Sequence, residues 1–285
     1  MQERNTQNIL TVDVEDWYMD LGHSSWANHE ERIVDSTIRV LEILAENDVK
    51  ATFFVVGYVA DRHPDLILRM RRNGHEIASH GYYHRPISSQ TPNEFEEDIG
   101  RSVRVLNSVI GEDICGYRAC QFTITEKTRW ALDIMKRFGI KYDSSVYPAR
   151  TPLYGQPDAP LFPYWISSST TTEEDPIHRT LLEIPLSVYT IPIVRKNIPV
   201  GGGFYLRLYP YWFTRRVIES INKRNQKAIV FIHPWELDVD QPRLRELPWY
   251  HYHNLAKTEG ILRRLLKDFA FTSITDGILN ERERD

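Results

Sequence analysis

A chain of 285 residues, 41% hydrophobic and 26% charged, is long enough to bury one large core, and a single domain over residues 1–285 suits that length better than two small ones. The formal net charge of −4, with no basic tract along the chain, excludes the electrostatic footprint of a nucleic-acid binder. Many of the 7 Trp, 15 Tyr and 11 Phe suit a core, and a surplus at loop positions suits a groove in which flat rings stack on sugars; composition alone does not separate the two.

In chain order, residues 8–14 read as a buried strand that runs into acids. Residues 31–47 place Ile33, Val34, Ile38, Leu41 and Leu44 at helical spacing. Residues 50–56 are rich in β-formers, and a second helix over 64–73 is closed by Gly74. A short strand at 75–79 leads to a helix over 92–110, with Thr91 as its N-cap and Glu94 three residues on. Residues 116–119 resemble another strand end, and 125–138 a helix closed by Gly139. This alternation predicts an α/β fold, with a parallel sheet or a barrel of βα units.

After residue 142 the pattern loosens. Residues 148–180 hold many Pro, Ser and Thr and read as a long substrate-side excursion. Residues 181–187 are strand-like, and Gly201-Gly202-Gly203 marks a backbone with unusual dihedrals or a close approach. A helix over 211–225, a fully apolar strand over 228–233, a helix over 255–268 and a short strand near Phe271 complete the chain.

In α/β folds, sites form where strands end. Four predicted strand ends carry polar groups: Asp13-Val14-Glu15-Asp16, His80 with His84, Arg118, and His233. His80 and His84 stand four apart, and one helical turn would bring both imidazoles to one ion. Two imidazoles and a carboxylate leave positions open for water and substrate. Three acids within four residues at the end of an apolar strand repel one another unless a cation sits among them; a solvated capping cluster is the plainer alternative.

The order T-V-D-V-E-D, S-H-G-Y-Y-H, G-Y-R-A, Y-D-S-S and F-I-H-P-W-E resembles the five motifs of the polysaccharide deacetylases (carbohydrate esterase family 4, the NodB-homology domain). It is most similar to a branch associated with exopolysaccharide loci, in which the first motif reads D-x-E-D. The resemblance spans residues 8 to about 236 and implies an irregular (β/α) barrel, with a short C-terminal extension over about 237–285. It implies removal of N-acetyl groups from an amino-sugar polysaccharide or its precursor with a divalent metal, zinc by donor type. It places the base at Asp13, a guanidinium that tunes it at Arg118, the general acid at His233, and an acid that orients a catalytic partner at Asp143. Ile232 stands where the acetyl pocket is lined, and Tyr83 and Trp235 are further substrate-side candidates.

The metal ligands under this resemblance are Asp16, His80 and His84. Family members usually have adjacent Asp residues in the first motif, so Glu15 is the alternative to Asp16. Cys120 replaces a proline common in the third motif, which loosens that loop and brings a thiol near the site. His75 reads as a structural histidine, and Trp17 and Tyr18 as sugar-stacking or core rings.

The N-terminus lacks a basic region followed by a long apolar one. The longest apolar run, residues 51–60, falls short of the roughly 20 residues of a membrane helix. With only two cysteines, Cys115 and Cys120, these features point to a cytoplasmic protein without a transmembrane segment, at most peripheral to the inner membrane. Two other readings remain: a hydrolase of small amides resembling allantoinase on the same fold, and a carbohydrate-binding protein with a weakened site. The oligomeric state is not legible.

Overall fold

The computed structural model describes residues 6–152, 154–175 and 177–282. In chain order these form β1 (Asn8–Val14), α1 (Ile33–Glu46), β2 (Thr52–Val55), α2 (Gly57–Arg62), α3 (Pro64–Arg72) and β3 (Glu76–Ser79). There follow α4 (Pro92–Ile110), β4 (Gly116–Tyr117), α5 (Trp130–Arg137), β5 (Tyr142–Asp143), β6 (Tyr164–Trp165), β7 (Leu182–Glu183), β8 (Val188–Ile191) and β9 (Lys196–Pro199). The last are α6 (Phe204–Leu208), α7 (Tyr211–Asn222), β10 (Ile229–Ile232), α8 (Thr258–Asp268) and β11 (Phe271–Thr272). The chain divides into two compact units, residues 1–53, 72–76 and 200–285, and residues 54–71 and 77–199. No helix among the described residues is long and apolar enough to cross a membrane.

In the first unit every residue of β1 is buried. Its partner β10 runs parallel, with Ile9 opposite Ile229 and Val12 opposite Ile232, and β11 pairs in parallel with the start of β1. Apolar runs without alternation are what a parallel strand covered on both faces requires, and each fully buried Ile, Leu or Val contributes about 1.5–3 kcal/mol. The parallel pairing puts Asp13 and His233 just beyond the same register, so both strands deliver polar side chains at one end. Residues Ile33, Thr37, Val40, Leu41 and Leu44 form the buried stripe of α1.

In the second unit β3, β4, β5 and β7 pair in parallel, with Ser79, Tyr117, Asp143 and Glu183 opposite one another in turn. β6 closes this edge antiparallel, Tyr164 against Glu183, and lies within the 148–180 excursion. β8 and β9 make a separate hairpin. α4 begins with the expected capping box: Thr91 Oγ1 accepts from the Glu94 amide and Glu94 Oε2 accepts from the Thr91 amide.

Candidate active site

In the first unit β1 stops at Val14, where the Glu15 amide turns back to donate to the Asp13 carbonyl. Asp13, Glu15 and Asp16 are all buried, but Glu15 and Asp16 face different partners. Asp16 Oδ2 accepts from the amides of Arg32 (2.8 Å) and Ile33 (3.1 Å), and Oδ1 from that of Trp17 (2.9 Å). Its carboxylate therefore caps the start of α1, and three backbone donors occupy three of its roughly four acceptor sites. Burial pushes its pKa up to about 6 against the pull of those three donors. Glu15 Oε1 instead accepts the indole N–H of Trp235 at 3.1 Å and stands 3.6 Å from His233 Nε2.

His233 follows β10 and is held from behind. Glu236 Oε1 takes both its Nδ1 proton (2.6 Å) and its backbone N–H (3.1 Å), while Glu236 Oε2 accepts from Arg207 Nε at 2.7 Å. Bonding at Nδ1 directs Nε2 outward, toward Glu15. Burial alone would depress the His233 imidazolium, but Glu15, Glu236 and Asp13 outweigh it and hold the pKa at about 9. Glu236 feels the converse: burial raises it, and Arg207 and His233 bring it below its ordinary value.

Trp235, expected at the substrate, is buried among polar residues. Its ring stacks on His251 (4.0 Å between centroids) and His233 (5.0 Å), and its N–H holds Glu15. Ile232 is buried in β10 opposite Val12. Trp17 and Tyr18 are core rings, the Trp17 N–H satisfied by the Glu30 carbonyl.

In the second unit His80 follows β3, and its Nδ1 lies 2.8 Å from the Arg118 carbonyl. A carbonyl can only accept, so Nδ1 carries the proton and Nε2 keeps its lone pair. The ring of His84 lies 5.0 Å from that of His80, and both are buried. The segment joining them is not the helical turn their spacing suggested. Gly81 (φ +72) and His84 (φ +50) are left-handed, which a helix does not admit. Asp98 on α4 fixes this loop by accepting from the amides of Tyr82 (2.7 Å) and Tyr83 (3.1 Å). The Tyr83 hydroxyl is bound by Arg101 at 2.8 Å.

Arg118, fully buried after β4, lies over Phe54 and donates to the Ser144 carbonyl (3.1 Å) and hydroxyl (2.8 Å). Asp143, read as orienting a catalytic partner, lies near enough to Arg118 for that charge to draw its pKa down against burial. Its register partner is Glu183, and its Oδ1 accepts from Ser145 Oγ at 2.5 Å. The carboxylate hydrogen-bonded to His233 is that of Glu236. Its signal was present in the motif H-P-W-E, where a carboxylate three residues after His233 has capping-box spacing. Asp98 had no comparable signal beyond an acid on the buried stripe of α4. Cys120 is buried in a tight turn with Gln121 and Phe122 left-handed. His75 is neutral and structural: burial lowers its pKa to about 4, and Nδ1 accepts from the Ala51 amide.

Residues 21–142 match the family described as Polysaccharide deacetylase, and residues 144–278 one described as Domain of unknown function (DUF3473). A chitooligosaccharide deacetylase of Rhizobium leguminosarum bv. trifolii is 34% identical over 101 residues, 35% of this chain and 44% of that protein. A peptidoglycan-N-acetylglucosamine deacetylase of Bacillus cereus is 31% identical over 78 residues, 27% of this chain and 28% of that protein. The matches thus span less than half the length of these relatives. Among solved structures, a putative polysaccharide deacetylase from Mycobacterium smegmatis aligns with TM-score 0.63 and 20% identity over 99% of this chain and 92% of that one. The Puue allantoinase aligns with TM-score 0.60 and 17% identity over 94% and 87%. These likenesses show the fold, the α/β NodB-type (β/α) barrel expected from the alternation of elements and the motifs.

Proposed function

The chain carries a polysaccharide deacetylase domain followed by a domain of unknown function, and on that premise we propose that it hydrolyses the acetamide of an N-acetylated amino sugar in a polysaccharide or its precursor. The reading takes residues from both family regions and treats 1–285 as one catalytic domain. The observation that carries it is the held histidine, His233, fixed at Nδ1 by Glu236 with Nε2 directed to the end of β1.

The proposed metal ligands are Glu15, His80 and His84. Glu15 replaces Asp16 because the Asp16 oxygens are taken by three backbone amides. The donor chemistry fits: His80 keeps a lone pair at Nε2, His84 lies beside it, and a carboxylate completes a set that suits zinc. A divalent ion bound there would polarise the acetamide carbonyl and acidify a water.

The remaining work falls to side chains. Asp13 accepts the proton of the attacking water, and Arg118, fixed by Ser144, steadies that base. His233 donates from Nε2 to the departing nitrogen, which leaves poorly as an amide anion. The resemblance of the first motif to the exopolysaccharide branch makes such a polymer or its precursor the proposed substrate.

The test is acetate release from N-acetylglucosamine oligomers, run beside a panel of linear and cyclic ureides. Wild-type protein should release acetate from the oligomers alone, and His80→Ala should release none. Turnover of ureides alone, or equal activity in His80→Ala, contradicts the reading.

A further inference from the structure

The region of residues 144–278 has no function attached to its family, yet it contains His233 and everything seen to hold His233 from behind. Arg207, on the short helix α6, is the innermost of these groups. Its side chain and that of Glu236 are each 1% exposed. Arg207 Nε donates to Glu236 Oε2, while Nη1 donates to the carbonyls of His251 (3.0 Å), His253 and Tyr250. Asn254 Nδ2 returns a hydrogen bond to the Arg207 carbonyl at 3.1 Å.

One planar guanidinium thus grips a carboxylate on one side and a loop on the other. That carboxylate spends its second oxygen on His233. The position of α6 is itself tied to the acid's strand, because Gly202 bridges Phe231 and the Gly203 amide donates to the Phe231 carbonyl, two residues before His233.

We propose that Arg207 is a positioning residue for the general acid, fixing the His233 ring through Glu236 and clamping residues 250–253 around the pair, so that the region of unknown function supplies the proton-delivery half of the site. This rests on the deacetylase reading above. A buried carboxylate between two fixed donors has one orientation, and so does the ring hydrogen-bonded to it. Lysine would not replace Arg207, since an ammonium lacks the fork that spans Glu236 and three carbonyls.

Such a role predicts a dependence on the leaving group that general loss of structure does not. An amine needs a proton as it departs; 4-nitrophenolate does not. Arg207→Lys and Glu236→Gln should lower acetate release from N-acetylglucosamine oligomers by about 10²-fold or more, and leave hydrolysis of 4-nitrophenyl acetate within about threefold of wild type. Equal loss on both substrates in both variants, or full amide activity in Arg207→Lys, overturns the positioning role alone. Wild-type protein that cleaves the aryl ester and releases no acetate from any acetamido sugar overturns the deacetylase reading and this role with it. Should Arg207→Lys not fold, Glu236→Gln, close to isosteric, decides the question through the same ratio.

Discussion

Glu15 and Asp16 are neighbours of similar chemistry, and their hydrogen bonds favour Glu15 as the proposed ligand: the amides of Arg32 and Ile33 arrive from 16 and 17 residues away and donate to Asp16. Removing that cap leaves three buried N–H groups unsatisfied, so Asp16→Ala should cost about 2–3 kcal/mol of stability and leave bound metal unchanged. Glu15→Ala should lose most of the metal, and its melting temperature should fall no further than a chelator brings that of wild type. Metal content measured alongside melting temperature separates them, and metal loss confined to Asp16→Ala would restore the sequence-based choice. Nothing in the string D-V-E-D indicates which acid turns toward α1. The hold of Glu236 on His233 was legible in the spacing of H-P-W-E, whereas the pairing of Asp143 with Glu183 was not, because strand register sets it. That register places Asp143 and Glu183 side by side in a fully buried setting. Burial raises both; the charge of Asp143 raises Glu183 further, and a hydrogen bond from Glu183 returns part of the rise in Asp143. Both carboxyls are therefore biased toward their protonated forms. Acids with raised native pKa values hold protons more tightly folded than unfolded, so their stabilisation is present at low pH and declines as pH rises above the unfolded value of about 4. Glu183→Gln fixes the neutral partner permanently, so its melting temperature should gain on that of wild type as pH rises above the unfolded value of about 4. A melting-temperature difference that does not move in the variant's favour as pH rises counts against the raised pair.

At the scale of elements, the long periodic helices and the apolar strands β1 and β10 were readable because burial on a repeating face leaves a pattern in the sequence. The short β4, β7 and β11 fall within segments read as strands, but the helix α6, the β8–β9 hairpin and the two-residue β5 and β6 were not readable, since so few residues carry no period and owe their form to neighbours. The loop between His80 and His84 belongs with these: a four-residue spacing looks helical, but left-handed residues and the Asp98 carboxylate give it another shape. Gly201-Gly202-Gly203 is the opposite case, its close approach expected and its target now visible. At φ +152, Gly202 lies against β10, where an added Cβ would stand 2.1 Å from the Phe231 carbonyl oxygen. Gly202→Ala should therefore destabilise the protein by about 2–3 kcal/mol and shift α6 together with Arg207. Denaturant unfolding checks this, and an unchanged midpoint would show that the segment yields more easily than its geometry indicates.

At the scale of the whole molecule, the proposal joins histidines from the deacetylase region to an acid supplied by the region of unknown function. Neither family region alone contains a complete hydrolase under this account. Metal should link the parts thermodynamically. A ligand bound only by the native state at a thousand times its dissociation constant adds about 4 kcal/mol, so a chelator should lower the melting temperature of wild type and leave that of His80→Ala,His84→Ala unmoved. Equal shifts in the two proteins would deny a specific ion. The most direct measurement is acetate release from N-acetylglucosamine oligomers by metal-stripped protein titrated with zinc. The account predicts no acetate before addition, activity that rises to a plateau at one equivalent, and no recovery in Glu15→Ala. Full activity in the stripped protein, or recovery in Glu15→Ala equal to wild type, would contradict it.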